Sequence, residues 1–213
     1  MSIASDARFW DKTSRKYAKA TISDQAGYER TLDRTRGLLR PDDRVLELGC
    51  GTGTTALRLA GGVHAYLATD VSAAMIAIAE EKRAAGPVAG LAFRATIAEA
   101  LAQEPARFDA VLGFNYLHMV RDVPGTLRCI HDLLAPGGLF VSKTPCLGNM
   151  NALIRVVLLP VMQAIGKAPH VSVFDAAGLD REIRAAGFDI VATEDHSTKG
   201  TQARPWIAAR KSI

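Results

Sequence analysis

Cysteine is scarce in this chain, with three residues in 213. Cys50, Cys129 and Cys146 make no even set and show no metal-ligand spacing. That excludes a disulfide framework and a zinc-binding ribbon, and it fits a reduced, cytoplasmic setting. Aromatic residues make up only 6%, and they do not gather into the basic-and-aromatic platform that single-stranded nucleic acid needs. Long hydrophobic runs are missing too. The most apolar stretch, residues 152–165, carries Arg155 and Pro160 and falls short of the roughly 20 residues that span a bilayer. The first eleven residues are mixed and polar, so no secretory signal is expected. Neither charge sign dominates: 26 Lys and Arg against 22 Asp and Glu leave a formal +4, too modest to imply a polyanionic partner. No repeat or low-complexity tract is visible.

What is present is a single domain's worth of chain, 48% hydrophobic and 23% charged, enough for a sheet covered on both faces. Its most informative stretch begins at Val45. Residues 44–48 read as a short apolar strand, Gly49, Gly51 and Gly53 follow at every second position, and residues 54–60 resume a helical pattern. Strand, glycine turn and helix make a ligand-binding βα unit of an open parallel sheet. The glycines permit unusual φ/ψ and remove Cβ atoms that would hold a ligand away. The dinucleotide fingerprint G-x-G-x-x-G requires a third glycine where Thr54 stands, which argues against a nicotinamide-dependent dehydrogenase.

Glu47-x-Gly49-x-Gly51-x-Gly53 resembles motif I of the class I S-adenosylmethionine-dependent methyltransferases, in particular the small ubiquinone/menaquinone-biosynthesis-like and type 11/12 enzymes. Further motifs follow in that family's order. Asp70-Val71-Ser72 with Met75 resembles its D-x-S-x-x-M pattern, Phe108-Asp-Ala-Val111 its F-D-x-V strand, and Leu134-Ala-Pro136-Gly-Gly138-Leu its turn into strand five. The resemblance covers about residues 43–143. It implies an α/β, Rossmann-like sheet of seven mostly parallel strands in the order 3-2-1-4-5-7-6, with helices on both faces and an N-terminal helical lid. It implies S-adenosylmethionine as cofactor and a small-molecule methyl acceptor, with no metal. Asp70 would accept the ribose hydroxyls, and Val71 and Met75 would flank the adenine. Glu47, Gly49, Cys50, Gly51, Gly53 and Asn115 would complete the cofactor wall. Ile97 stands where the family usually has an acid, so Thr96 and backbone groups would serve the adenine edge while Ile97 packs on its face. His118 and Tyr116, in the loop after the fourth strand, are the candidate catalytic residues, and Trp10 and Cys146 candidate substrate-lining ones. Two motifs are missing: an N-P-P-Y tetrapeptide, which disfavours amine methylation of bases or glutamine amides, and an acid series for magnesium.

The flanks organise around this core. Residues 1–40 form a helical cap, 43–143 the cofactor-binding core, 144–186 an apolar helical insert and 187–213 the closing strands. On a helix over residues 6–20, Arg8, Lys12, Arg15 and Lys19 share one stripe, while Trp10 and Tyr17 sit nearly opposite. The basic stripe reads as a solvated face. The aromatic face would lie over the cofactor mouth, with Tyr17 touching the ligand. Asp24 caps a second helix over 24–39 and Ser72 a helix over 73–85. The stretch 151–166 must be buried, dimer-forming, substrate-covering or membrane-facing, with a kink at Pro160. It suggests an apolar, lipid-like or quinone-like acceptor and peripheral membrane contact. Two other functions stay open: an S-adenosylmethionine-binding protein without turnover, and an RNA-modifying enzyme working through the basic helix.

Overall fold

The computed structural model describes residues 2–148, 159–164, 167–198 and 203–212. Two helices, α1 (Ile3–Ala18) and α2 (Gln25–Arg36), precede the sheet. The order then runs β1 (Arg44–Leu48), α3 (Thr54–Leu59), β2 (Ala65–Asp70), α4 (Ala73–Ala85), β3 (Leu91–Ala95), α5 (Ala98–Leu101) and β4 (Phe108–Phe114). It continues with α6 (Val123–Leu133), β5 (Leu134–Lys143), α7 (Leu159–Ala164), α8 (Ala176–Ala185), β6 (Phe188–Glu194) and β7 (Trp206–Lys211). One seven-stranded sheet results, in the order β3-β2-β1-β4-β5-β7-β6. The first five strands pair in parallel, and β7 runs antiparallel to both β5 and β6. This is the expected Rossmann-like fold.

Period-two alternation builds the two layers. Leu46, Val111, Phe140 and Ile207 join Leu127, Ile130, Leu179 and Ile183 on the α6/α8 face. Their chain neighbours Val45, Leu112, Val141 and Ala208 turn to the opposite face, against Leu32, Ala56 and Leu59. Helix starts are written in short polar signals. The carboxylates of Asp24, Asp122 and Asp175 accept from the backbone N–H three residues on, at 3.0, 2.9 and 2.6 Å. Ser72 Oγ does the same for Met75 N at 3.1 Å, as capping preference requires.

Of the apolar stretch 152–165, residues 152–158 and 165 lie outside the described residues, and with them the turn before Pro160 where the expected kink would fall and the burial expected of the stretch as a whole. The described part is the six-residue α7. Among the described residues no helix is long and apolar enough to cross a membrane.

Candidate functional site

All five parallel strands end on one edge of the sheet, and the glycine turn crosses that edge after β1. Gly49, Gly51 and Gly53 take φ of 69°, 54° and 75°, the left-handed region that disfavours any side chain. Their tasks differ. A Cβ at Gly53 would lie 2.7 Å from Phe93 Cζ and 2.8 Å from Ala79 Cβ, so that glycine serves packing of the turn on β3 and α4. A Cβ at Gly49 would meet the Tyr116 ring at 2.7 Å. Only at Gly51 is there room, with Tyr17 Cε1 at 3.6 Å as the nearest atom. Of the three, only Gly51 leaves open space, and Gly53 borders neither of the cavities described next.

Two cavities flank this turn. One, of about 610 Å³, is walled by Trp10, Asp70, Val71, Met75, Thr96, Ile97, Tyr116 and His118 among others. Its neighbour, about 700 Å³, is bordered by Glu47, Cys50, Thr52, Lys82 and Lys143. Tyr17, Gly49, Gly51, Phe114, Asn115 and Arg204 border both. Hence most of the residues picked out in the sequence converge on one continuous cleft. Cys146 does not: it is buried in the core beside β7, its backbone N–H donating to Ala203 O at 2.8 Å, and it borders neither cavity.

Asp70 closes β2 at the centre of the cleft. Its Oδ2 accepts from Gly51 N and its Oδ1 from Ser72 N, each at 2.9 Å. Both oxygens are thus aimed, and each keeps acceptor capacity toward the cavity. Burial raises the Asp70 pKa despite these bonds, and the nearby Asp11 carboxylate adds to it. Thr96 and Ile97 close the same wall beyond β3.

Glu47 sits deeper. It is 2% exposed, and the Tyr66 hydroxyl donates to it at 2.8 Å. Desolvation pushes it up to about 7, the hydrogen bond notwithstanding. A carboxylate buried against a cavity wall, with a neutral hydroxyl as its partner, is the perturbed arrangement typical of binding sites. It faces the larger cavity rather than the one at Asp70.

Helix α1 roofs the smaller cavity. Trp10 and Tyr17 touch edge to face at 6.0 Å and both border it. Three polar contacts hold the helix down. Asp6 takes a bidentate bond from Arg121, both at 2.8 Å. Asp11 accepts from Ser72 Oγ at 2.6 Å and Ala74 N at 3.2 Å. Arg15 pairs with Glu81 at 2.9 Å. The basic stripe of Arg8, Lys12, Arg15 and Lys19 faces outward and is exposed.

Past β4 the chain turns at Asn115, the one described non-glycine residue with positive φ (52°). Tyr116 packs its ring over Gly49 and Gly113, and burial raises its pKa. His118 is 6% exposed and its Nδ1 lies 2.9 Å from Thr144 Oγ1. Burial, with the Arg204 charge adding to it, lowers its pKa to about 4, so the ring is neutral at pH 7. Among the described residues no three His, Cys, Asp or Glu side chains cluster as a metal site.

Sequence reasoning missed Asp6, Asp11, Arg121, Thr144 and Arg204. The two acids on an otherwise basic first helix were the available signal. Thr144 and Arg204 left none, because their roles arise from strands brought together only in the sheet.

A family model described as "Methyltransferase domain" matches residues 17–193. Among curated proteins, the ubiquinone biosynthesis O-methyltransferase of Methylocella silvestris is 38% identical over 115 residues, 53% of this chain and 44% of that one. The chain thus aligns with less than half the length of that relative. Among solved structures, a complex titled "DhpI-SAH" superposes with a TM-score of 0.76 at 20% identity, covering 99% of this chain and 97% of the other. Magnesium protoporphyrin IX methyltransferase of Synechocystis, with bound SAH, gives 0.69 at 19%, covering 97% and 95%.

Proposed function

Since the chain belongs to the methyltransferase-domain family, we propose that it moves a methyl group from S-adenosylmethionine to a small acceptor in the cleft beneath α1. The observation that carries this reading is Asp70, whose two oxygens are aimed by Gly51 N and Ser72 N into a cavity walled by Met75, Thr96 and Ile97. The residues present fit an adenosyl amino acid: a carboxylate for vicinal hydroxyls, apolar side chains for a flat base and a glycine turn that admits close approach at Gly51. When bound, the cofactor supplies an activated methyl and a neutral thioether leaving group.

The protein's share is then alignment and exclusion of water. Asp70 orients the ribose. Met75 and Ile97 hold the base, while Trp10 and Tyr17 close the roof. Glu47 and Asn115 border the side of the cleft left for the amino-acid end. Tyr116 and His118 face the acceptor. Met119, Val120 and Pro145 surround that end of the cavity, which supports an acceptor with an apolar body. No metal is required for a displacement of this kind.

Titration calorimetry with S-adenosylmethionine and S-adenosylhomocysteine tests the reading. Micromolar binding to wild type, weakened at least thirtyfold in Asp70→Ala, is expected. Absence of binding to wild type, or equal affinity in Asp70→Ala, ends it.

A further inference from the structure

Thr144 is completely buried at the end of β5, and among the described residues its hydroxyl has one partner residue, His118. Two contacts converge on Oγ1. The backbone N–H of His118 donates to it at 3.3 Å, and the ring Nδ1 lies 2.9 Å away. A threonine hydroxyl has one proton to give and two lone pairs to accept with. If Nδ1 carried the ring proton, Oγ1 would accept twice and its own proton would be stranded in the interior. If Nδ1 is bare, every group is satisfied: His118 N–H donates to Oγ1, and O–H donates to Nδ1. Buried polar groups overwhelmingly adopt the satisfied arrangement. The tautomer of a histidine is set by the bond its other nitrogen makes, and here that leaves the proton on Nε2. Among the described residues Nε2 has no protein partner, and it is not one of the sealed, unsatisfied buried atoms. Since His118 borders the cavity, this nitrogen opens onto it.

We infer that Thr144 is a positioning residue, whose hydroxyl holds His118 as the Nε2–H tautomer so that the ring meets the methyl acceptor as a hydrogen-bond donor, not a base. The role toward the acceptor rests on the methyl-transfer reading; the tautomer does not. An acceptor suited to this end of the cavity presents an electron-rich oxygen, such as a phenolate or carboxylate, to Nε2–H. A hydroxyl acceptor that still holds its proton gains no help from Nε2, because that lone pair is already used.

The experiment is nitrogen NMR of the imidazole side chains at pH 7, on the full chain alone and with S-adenosylhomocysteine. His118→Gln identifies the His118 signals among the five histidines. The expected pattern is a bare, pyridine-type Nδ1 and a protonated Nε2. Thr144→Ser should keep that pattern, and Thr144→Val should shift the ring toward a mixture of tautomers. A protonated Nδ1 in wild type overturns the inference, as does a folded Thr144→Val with an unchanged pattern. Should Thr144→Val fail to fold, the wild-type and Thr144→Ser spectra decide alone. Calorimetry on the same samples separates the two readings. No uptake of S-adenosylhomocysteine removes methyl transfer and leaves the tautomer standing, whereas uptake with a protonated Nδ1 does the reverse.

Discussion

Ser72 Oγ lies 2.6 Å from Asp11 Oδ1, and this one bond joins the roof of the cleft to its floor. Ser72 also caps α4 through Met75 N, and its own N–H holds Asp70. Asp11 reaches Ala74 N as well. The roof helix therefore registers on the same turn that aims the Asp70 carboxylate. Asp11→Ala should loosen α1 by about 1–2 kcal/mol, the usual value of a capping interaction. Hydrogen exchange in residues 3–18 should rise roughly tenfold, with exchange in β1 and β4 unchanged, and cofactor affinity should fall in step. Unaltered exchange in α1 would show that the bond is incidental.

The other end of the roof hangs on Asp6 and Arg121, whose side chains are 15% and 28% exposed. Partial shielding and bidentate geometry lift such a pair above a fully solvated one. A double-mutant cycle with Asp6→Ala and Arg121→Ala, read by thermal unfolding, should give a coupling of about 1 kcal/mol. That coupling should shrink as salt is raised. A value near zero would leave Asp11 as the principal anchor.

Much of this is legible in the amino-acid sequence. Every second glycine, the acid seventeen positions after Gly53 and the proline-glycine-glycine turn each name a local backbone event, while the strand order comes from the resemblance to the methyltransferase family that those motifs carry. The packing task of Gly53 is not legible in the sequence, because the reason for a missing Cβ is always a neighbour. Phe93 and Ala79 come from elements further along the chain, so a packing glycine and a ligand glycine look alike in sequence. Thr144 escaped for the same cause. A threonine at a strand end carries no signal until the adjacent strand brings His118 to it. Cys146 shows the converse, a residue placed near the cleft by strand position but turned into the core by its pairing with the segment before β7.

Glu47 makes the unliganded protein sensitive to pH. Its folded-state pKa of about 7 lies above the ordinary 4.5, so between those values the folded chain holds a proton that the unfolded chain has released. Stability is then full below about pH 4.5 and declines as pH rises through 7, the opposite of a salt-bridged carboxylate. Glu47→Gln removes this penalty. It should raise stability by about 3 kcal/mol at pH 8 and by less than about 1 kcal/mol at pH 5, as measured by urea unfolding at both values. Cofactor affinity should drop in the same variant, since a buried acid kept at such a cost is expected to serve the ligand. Equal stabilisation at both pH values would mean that folding leaves the titration of Glu47 unchanged.

The glycine turn allows fold and function to be separated within three residues. Gly51→Ala places a methyl at φ 54° with nothing nearer than Tyr17 Cε1 at 3.6 Å. The left-handed backbone costs about 1 kcal/mol, which the fold can bear, while the methyl projects toward the space the cofactor is proposed to occupy. Gly53→Ala meets Phe93 Cζ at 2.7 Å and Ala79 Cβ at 2.8 Å, and the buried Ala79 Cβ cannot recede without moving α4. Overpacking added to backbone strain should cost about 3 kcal/mol. The expected result is a crossed pattern. Gly51→Ala stays near wild-type melting temperature and loses most S-adenosylmethionine binding, whereas Gly53→Ala melts far lower and binds, where still folded, with little loss. Binding lost in parallel with stability in both variants would show that the turn acts as one unit, and that clearance at Gly51 is not what admits the ligand.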